Sequence, residues 1–477
     1  MGEAAAPSLG AACQRAVDRA RALGRSIALS VSEPAEGGTD PLAVLARIRA
    51  DVSDGATPRH FYFEHPSQDY ALAAGGRAAV HEEVNGSNAE DRFAKARRLV
   101  ESAVLEAETW PLNGASAGAL AIGGFSFFEK VDAAQWPGFA PADLAMPQWA
   151  AIRQGQSARL LVQTAVAPRD EATAVQSRIA AALDRLRDAA RNSLSEPKPG
   201  TTRVQGMDPA EARGQWTQVV RTARDAIRQG QLRKVVLARP LDLVCTPAPD
   251  PIQLLMRLRV AYPECYAFLA DPGAGQVYLG ATPERLARLE GGRVSLAALA
   301  GTFPRGATPE ADAALKRLIL ESPKEREEHA IVVDAMREAL AGLGNLDIPD
   351  EPEVRALKNV WHLFTPITLV PMAETSLLDL LQRLHPTPAV GGLPRGPALD
   401  LMRRLESFDR GWYGAPLGWF NSRGEGEFVV TLRSGVVSGG RVRLFAGGGI
   451  VAESDPEREF EETRIKFQPL LSALGQE

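Results

Sequence analysis

The sequence predicts an α+β fold whose strands are mainly antiparallel. In the second half of the chain, strand-like apolar runs follow one another with few helical patterns between them, at residues 277–280, 294–300, 428–437 and 442–445. Strands that succeed each other in this way pair as antiparallel neighbours, whereas parallel pairs need long crossover connections. Helices are predicted over residues 323–340 and 456–474, the second beginning after Ser454 and Asp455 with Pro456 in its first turn.

Two further elements precede these strands. Residues 207–229 have a helical pattern that Gly230 ends, and the short apolar run KVVL at 234–237 is typical of a buried strand. In the first part of the chain, strands are predicted at 61–63, 122–128 and 160–164, and a helix at 170–191. That part offers no convincing chemistry, so we expect it to extend the sheets as a scaffold.

The clearest linker is residues 192–202, a polar stretch with two prolines, a glycine and no apolar period. It divides the chain into an N-terminal region, 1–195, and a C-terminal region, 203–477. Both regions are expected to belong to one structural unit, because the resemblance described below implies a single large fold.

Composition excludes several classes of function. The chain has 477 residues and a net charge of −5, which gives no reason to expect nucleic acid or an anionic membrane as a partner. The three cysteines, Cys13, Cys245 and Cys265, are far apart and indicate neither disulfides nor a zinc site. No signal-like start and no run of 18 apolar residues occurs, so the expected location is the cytoplasm. An anionic substrate would need a local cluster of cations.

Two predicted helices carry pairs of acids on the face that should be apolar. Glu325 and Glu328 are three residues apart, as are Glu459 and Glu462, and Lys466 follows one turn later. Two facing carboxylate pairs would supply the hard oxygen ligands that Mg²⁺ prefers. The alternative is a solvated face with a Glu462–Lys466 pair, and spacing alone favours this alternative.

Three other positions have two interpretations each. Lys234 opens the buried strand, either as an edge charge that reaches water or as a desolvated amine that acts as a base. Glu284, in GATPERL, projects from a strand end and is either a capping residue or a site acid. The run Gly447 to Gly449 ends a predicted strand, either as a tight turn or as backbone that approaches an anion. No H-E-x-x-H or P-loop motif occurs.

The order of these motifs is more informative than any one of them. Residues 210–470 resemble the chorismate-utilising enzymes, a family that includes isochorismate synthases, salicylate synthases, anthranilate synthase component I and aminodeoxychorismate synthase. The resemblance rests on KVVLAR, GATPERL, LAGTFPRG, KEREEH, the Trp361–His362 pair, HPTPAVGGLPR, FDRGWYGAPLGW, TLRS, AGGGIV and SDPEREFEETRIK, in this order. It implies a large two-sheet antiparallel sandwich flanked by helices, with the site in the C-terminal portion.

The resemblance also implies roles for particular residues. Glu328 and Glu462 resemble the Mg²⁺ ligands, with Glu325 and Glu459 nearby. Lys234 resembles the base that activates water, and Glu284 the acid that protonates the leaving hydroxyl. The residues that resemble substrate contacts are Gly301, Thr302, His362, Ala389, Tyr413, Arg433, Gly447 and Lys466. Gly448 departs from the family's usual G-A-G pattern.

Three positions distinguish the activities within the family. Lys234 stands where anthranilate synthases have glutamine, Ala300 where aminodeoxychorismate synthases have a lysine nucleophile, and Ala389 where pyruvate-eliminating members carry threonine. All three imply an isochorismate synthase. The carboxylates that resemble metal ligands imply a need for Mg²⁺, and Lys234 disfavours the ammonia chemistry of a glutamine amidotransferase complex. A monomer is the default expectation. The alternatives are a salicylate synthase and a non-catalytic chorismate-binding protein. Whether the product enters siderophore, salicylate or menaquinone biosynthesis stays open.

Overall fold

The computed structural model describes residues 8–51, 59–78, 91–111, 118–198, 202–206, 210–356, 360–372 and 375–476. The α-helices in this part of the chain are α1 Leu9–Leu23, α2 Pro41–Ala50, α3 Arg92–Ala96, α4 Ser102–Leu105, α5 Ala172–Ala190, α6 Ala210–Arg228, α7 Pro251–Ala261, α8 Pro309–Glu321, α9 Pro323–Leu340, α10 Leu377–Leu384, α11 Arg395–Leu405 and α12 Pro456–Ala473. A 3₁₀ turn spans Pro66–Gln68, and a π-helical turn, Arg97–Glu101, joins α3 to α4.

The strands within the same ranges are β1 Ile27–Pro34, β2 His60–His65, β3 Tyr70–Gly75, β4 Glu108–Pro111, β5 Leu120–Phe125, β6 Ala142–Ala145, β7 Trp149–Gln154, β8 Ser157–Val166, β9 Arg203–Gln205, β10 Lys234–Thr246, β11 Tyr266–Asp271, β12 Val277–Thr282, β13 Arg285–Glu290, β14 Arg293–Pro304, β15 Gly344–Asp347, β16 Glu353–Ala356, β17 Val360–Pro371, β18 Gly392–Leu393, β19 Pro416–Asn421, β20 Gly426–Val430, β21 Ser434–Ser438 and β22 Arg441–Ile450.

These strands form two sheets. The larger has the order β18-β10-β22-β21-β12-β11-β2-β3-β7-β8-β1-β4, with β9 beside β10, and the smaller has the order β15-β17-β14-β13-β20-β19-β5-β6, with β16 beside β17. Within the described residues, β1 and β4 form the one parallel pair, and the other pairs are antiparallel. The predicted α+β class is confirmed.

The sheets pack face to face around an aromatic core. Phe63, Phe268 and Phe445 from the larger sheet belong to the same buried cluster as Leu417 and Val429 from the smaller one. A second cluster packs the opposite face of the larger sheet against α7 and α12. The helices therefore lie outside a two-sheet antiparallel sandwich, as the resemblance implied.

Both sheets take strands from both sides of the predicted linker. In the larger sheet β2 pairs with β11, so that Phe63 lies opposite Phe268, and in the smaller sheet β5 pairs with β19. We infer that regions 1–195 and 203–477 form one structural unit. Residues 199–201 of the linker lie outside the described part of the chain.

Three predicted elements need correction. The strand predicted over residues 428–437 is two strands, β20 and β21, because Arg433 between them has a left-handed φ of 48°. The strand predicted over 122–128 ends at Phe125, after which the Ser126 N–H donates to the Pro141 carbonyl instead of a neighbouring strand. The strand predicted over residues 442–445 continues through the three glycines at 447–449 to Ile450, so the alternative of a tight turn is wrong.

Other boundaries agree with the sequence. Helix α9 spans Pro323–Leu340, and α12 begins at Pro456 with the Asp455 side chain accepting a hydrogen bond from the Arg458 N–H. The start of the helix predicted from residue 207 lies outside the described residues, which enter α6 at Ala210. In the parts of the chain that the structure describes, no helix has the length and apolar character needed to cross a membrane.

Candidate active site

A cleft of about 730 Å³ opens where the start of β10, the β12–β13 junction, α9, α12 and β22 meet. Eleven of the fourteen residues predicted for the site line it, namely Lys234, Glu284, Gly301, Glu328, His362, Ala389, Tyr413, Arg433, Gly447, Glu462 and Lys466. Of the other three, Glu325 and Glu459 lie on the same helices behind it, and Thr302 follows Gly301 on β14. Residues far apart in sequence thus meet at one place.

Lys234 is the first residue of β10, and its backbone pairs with Leu393 of the edge strand β18. Its side chain is 1% exposed, so the alternative of an edge charge that reaches water is wrong. The ammonium nitrogen, Nζ, donates a hydrogen bond of 2.9 Å to Oε1 of Glu328 on α9. A buried amine held by one directional partner is suited to a positioned proton transfer.

Glu284 lies between β12 and β13, and its carbonyl accepts a hydrogen bond of 3.0 Å from the Val430 N–H on β20. Its side chain lines the cleft and is buried. Burial raises the pKa of Glu284 from 4.5 to about 7, against the opposing effects of the Lys234, Arg433 and Lys466 charges. Near neutral pH this carboxyl can therefore hold a proton and release it, as a general acid must.

The glutamate side chains of helix α9 lie close to two glycines on neighbouring strands. Ser322 caps the helix, and Pro323 begins it. A Cβ atom on Gly301, whose φ is +74°, would lie 3.1 Å from Oε2 of Glu325, and a Cβ atom on Gly449 would lie 2.7 Å from Oε1 of Glu328. A side chain at either glycine would therefore crowd the carboxylate opposite it.

Helix α12 approaches the same strand with its own acids. A Cβ atom on Gly448 would lie 3.1 Å from Oε2 of Glu459, which is 3% exposed. Glu462 accepts a hydrogen bond from Lys466, whose Nζ also donates to the Gly447 carbonyl at 2.8 Å. The sequence allowed a solvated helix face with a Glu462–Lys466 pair as the alternative. That pair is present. Glu459 is buried, however, so this face of α12 is not solvated as a whole.

The donor chemistry of these four carboxylates fits Mg²⁺, which binds hard oxygen ligands. The side chains of Glu328 and Glu462 line the cleft, while Glu325 and Glu459 lie behind the strands. Both lining acids are engaged by lysines, and no three candidate ligands converge on one point within the described residues. Metal binding at this place would require the two lysine contacts to rearrange.

Three further side chains of the cleft, those of Arg433, Tyr413 and His362, bear on the binding of an anion. Arg433 has φ 48°, a conformation that costs a non-glycine residue about 1–3 kcal/mol and clusters at functional sites. Burial raises the pKa of Tyr413 to about 12, so it is a neutral donor, and a Cβ atom on Gly447 would lie 3.3 Å from its hydroxyl. Burial and then Arg433 lower the pKa of His362 to about 3, so this ring is neutral.

Sequence reasoning missed one charged residue of the cleft, Arg410, together with apolar neighbours such as Val236 and Val390. Arg410 lies in FDRGWYGAPLGW, a motif that the resemblance includes, but no role was predicted for this arginine. With Lys234, Arg433 and Lys466 it makes four basic side chains around the cleft of a protein of net charge −5, but the charge of Arg410 is balanced by Glu406 and is not available to a substrate. The local cluster of cations that an anionic substrate needs is therefore present.

The chain belongs to the family of chorismate binding enzymes, whose family model, described as "Chorismate binding enzyme", matches residues 12–475. It is 39% identical over 474 residues to the salicylate biosynthesis isochorismate synthase of Pseudomonas aeruginosa, covering 97% of this chain and 93% of that relative. It is 33% identical over 470 residues to the isochorismate synthase MenF of Bacillus subtilis, covering 97% of this chain and 96% of the relative.

Solved structures agree with this assignment. The menaquinone-specific isochorismate synthase MenF from Escherichia coli superposes with a TM-score of 0.75 and 26% identity, over 98% of this chain and all of that one. Anthranilate synthase component I from Streptococcus pneumoniae superposes with a TM-score of 0.62 at 20% identity, over 90% of this chain and 96% of that one, which shows a shared fold alone.

Proposed function

We propose that this chain is an isochorismate synthase, which converts chorismate to isochorismate. The observation that carries the proposal is that a buried lysine, Lys234, and a buried carboxyl of raised pKa, Glu284, line one cation-rich cleft. A base and an acid on different elements around one cleft are what the exchange of a ring hydroxyl requires. The relatives named isochorismate synthase, similar over nearly the whole chain, support the same activity.

Substrate binding follows from the charges. Chorismate carries two carboxylates, and Arg433 presents a planar guanidinium that pairs with a carboxylate through two parallel hydrogen bonds. Tyr413 adds a neutral hydroxyl donor, and Lys466 adds a second positive charge beside the Gly447 backbone. Gly301 lines the cleft with Thr302 next to it on β14, and the Gly301 carbonyl is hydrogen-bonded to Nδ1 of His362 at 2.9 Å.

Lys234 and Glu284 then divide the chemistry. In its neutral form, Lys234 takes a proton from a water molecule, and the water oxygen forms a bond to C2 of the ring. The ring double bonds shift, and the bond between C4 and its hydroxyl breaks. Glu284 gives its proton to that hydroxyl, which leaves as water. One water enters and one leaves, so the reaction is an isomerisation that we expect to be reversible.

We further propose that Glu328 and Glu462, with Glu325 and Glu459 behind them, hold Mg²⁺. When bound there, the ion supplies charge neutralisation and orientation for the ring carboxylate of the substrate. The lysines that engage the two acids here, Lys234 and Lys466, would then turn toward water and substrate.

Ala389 and Ala300 support release of isochorismate without further conversion. Both line the cleft with a methyl group, which can neither attack the ring nor hydrogen-bond the enolpyruvyl side chain. The test is incubation of the purified protein with chorismate and Mg²⁺, with chromatographic separation of isochorismate, salicylate and anthranilate. We expect isochorismate in equilibrium with chorismate. Binding without turnover would identify a chorismate-binding protein instead.

A further inference from the structure

A buried ion pair of Arg410 and Glu406 lies beneath the cleft. The two side chains are 1% and 3% exposed. Arg410 donates to Glu406 through Nε at 2.8 Å and again through Nη2, so the pair is held by two parallel hydrogen bonds. The face of the guanidinium lies 4.3 Å from the ring centre of Phe127.

The remaining hydrogen bonds of this pair go to the backbone of two segments that line the cleft. Arg410 donates to the Val390 carbonyl at 3.0 Å and to the Val236 carbonyl at 2.7 Å. Glu406 accepts from the Ala238 N–H at 2.8 Å. Val390 follows Ala389, and Val236 and Ala238 lie on β10 two and four residues after Lys234.

Stability alone is a poor explanation for such a pair. Burying two charges is costly, and replacing a buried ion pair with apolar side chains is often neutral or stabilising. A pair retained in the floor of a cleft, and bonded there to backbone, instead restricts the arrangement of the segments that it joins. Arginine is suited to this because its rigid planar fork donates in several fixed directions at once, which lysine cannot do.

We propose that Arg410, held by Glu406, is a positioning residue that fixes the start of β10, and with it Lys234, against the segment that carries Ala389. This inference rests on the proposed function, because it assigns Arg410 the task of aligning the base with the ring. A misplacement of about 1 Å at a reacting group lowers turnover about 10²-fold. The contribution of Arg410 is therefore to kcat and not to substrate affinity.

The experiment uses the full chain and two variants. Arg410→Lys keeps the charge but cannot reach Glu406, Val236 and Val390 together. The double variant Glu406→Leu/Arg410→Met removes both charges and keeps apolar volume. For each we expect kcat to fall roughly 10- to 100-fold and KM for chorismate to change less than about threefold. Because burial raises the pKa of Glu284 to about 7 and this residue is untouched, kcat/KM of both variants should decrease above about pH 7, as we expect for the wild type.

Arg187→Lys is the matched control, because Arg187 also holds a glutamate with two hydrogen bonds, to Glu33 at 2.7 and 2.6 Å, but joins α5 to β1. Its kcat should equal that of the wild type. Wild-type kcat in either folded Arg410 variant would overturn the positioning role, as would a raised KM with unchanged kcat or an equal loss in the control. If the double variant does not fold, Arg410→Lys decides. A wild type that makes no isochorismate would refute the proposed function instead.

Discussion

Nζ of Lys234 lies 2.9 Å from Oε1 of Glu328, so the proposed base and a proposed metal ligand share one hydrogen bond. The two groups belong to different elements, the first residue of β10 and the second turn of α9, and Gly449 of β22 allows their close approach. Proton transfer and metal binding are therefore coupled at this point, and a substitution in either residue is expected to affect both.

The first prediction concerns the metal. Glu328→Gln or Glu462→Gln should lower turnover roughly 10²-fold or more, because the amide keeps the shape of the side chain but removes a hard anionic ligand. Mg²⁺ binding to the substrate-free protein, measured by titration calorimetry, should weaken in parallel. Glu327→Gln, an exposed neighbour on α9, is the control and should bind and turn over normally. Full activity in Glu328→Gln and Glu462→Gln would refute the ligand assignment.

The second prediction concerns the base. Lys234→Gln should lower kcat by about 10²–10⁴-fold, which is the usual contribution of a general base. Chorismate binding, measured by equilibrium dialysis, should change little, because Arg433 and Lys466 remain. Lys316→Gln, at an exposed position of α8, provides the control. Should Lys234→Gln turn over at the wild-type rate, another group must activate the water.

The third prediction is a pH dependence. The pKa of Glu284 is raised to about 7, so the protonated form, which donates to the leaving hydroxyl, is lost as pH rises through that value. The kcat/KM for chorismate should accordingly decrease above about pH 7, since this ratio reports the free enzyme. The pH profile of Glu284→Gln, at much lower rates, should lack the decrease. A profile that keeps it would assign the titration to a different group.

The fourth prediction is one of stability. A carboxyl whose pKa is raised on folding, from 4.5 to about 7, contributes stability that is complete below pH 4.5 and is lost as pH rises through 7. At pH 8 the ionised Glu284 should therefore destabilise the fold by up to about 3 kcal/mol relative to a neutral isostere. Glu284→Gln should raise Tm at pH 8 more than at pH 5, as scanning calorimetry can measure. Equal shifts at both pH values would contradict the raised pKa.

The fifth prediction concerns the products. The purified protein should form no salicylate at neutral pH and no anthranilate even with abundant ammonium, because Ala389 lacks a hydroxyl, Ala300 cannot attack the ring, and Lys234 fills the place of an ammonia nucleophile. Product chromatography over a time course measures isochorismate, salicylate and anthranilate. Salicylate that accumulates in step with chorismate loss would move the assignment to a salicylate synthase.

Local sequence signals, such as helix caps and apolar runs, predicted much of the fold. The cap at Asp455 and proline at 456 set the start of α12, and the apolar run after Lys234 identified a buried strand. The break between β20 and β21 was not predictable in this way, because Arg433 has no sequence signal for its left-handed backbone. The same holds for the glycines of β22, whose role is set by carboxylates that arrive from distant helices.

The candidate site was predictable as a set of residues and not as an arrangement. The order of the motifs predicted that Lys234, Glu284 and Arg433 belong to one site, and all three line the cleft. The hydrogen bond between Lys234 and Glu328, and the buried pair beneath them, depend on how the segments pack. Lys234 and Glu328 are 94 residues apart, and Glu406 and Arg410, although only four apart, lie beyond the end of α11, where helical spacing predicts no contact.

The pairing of β2 with β11 has a practical consequence for the design of fragments of this protein. A fragment that begins at residue 203 would keep the whole candidate cleft, yet it would leave β11 with an unpaired edge of five backbone positions, Ala267 to Asp271, that β2 covers in the intact chain. Open strand edges template association with other chains. Such a fragment would self-associate unless the first half of the molecule were supplied in trans, which makes co-expression of the two halves the sensible route to a split enzyme.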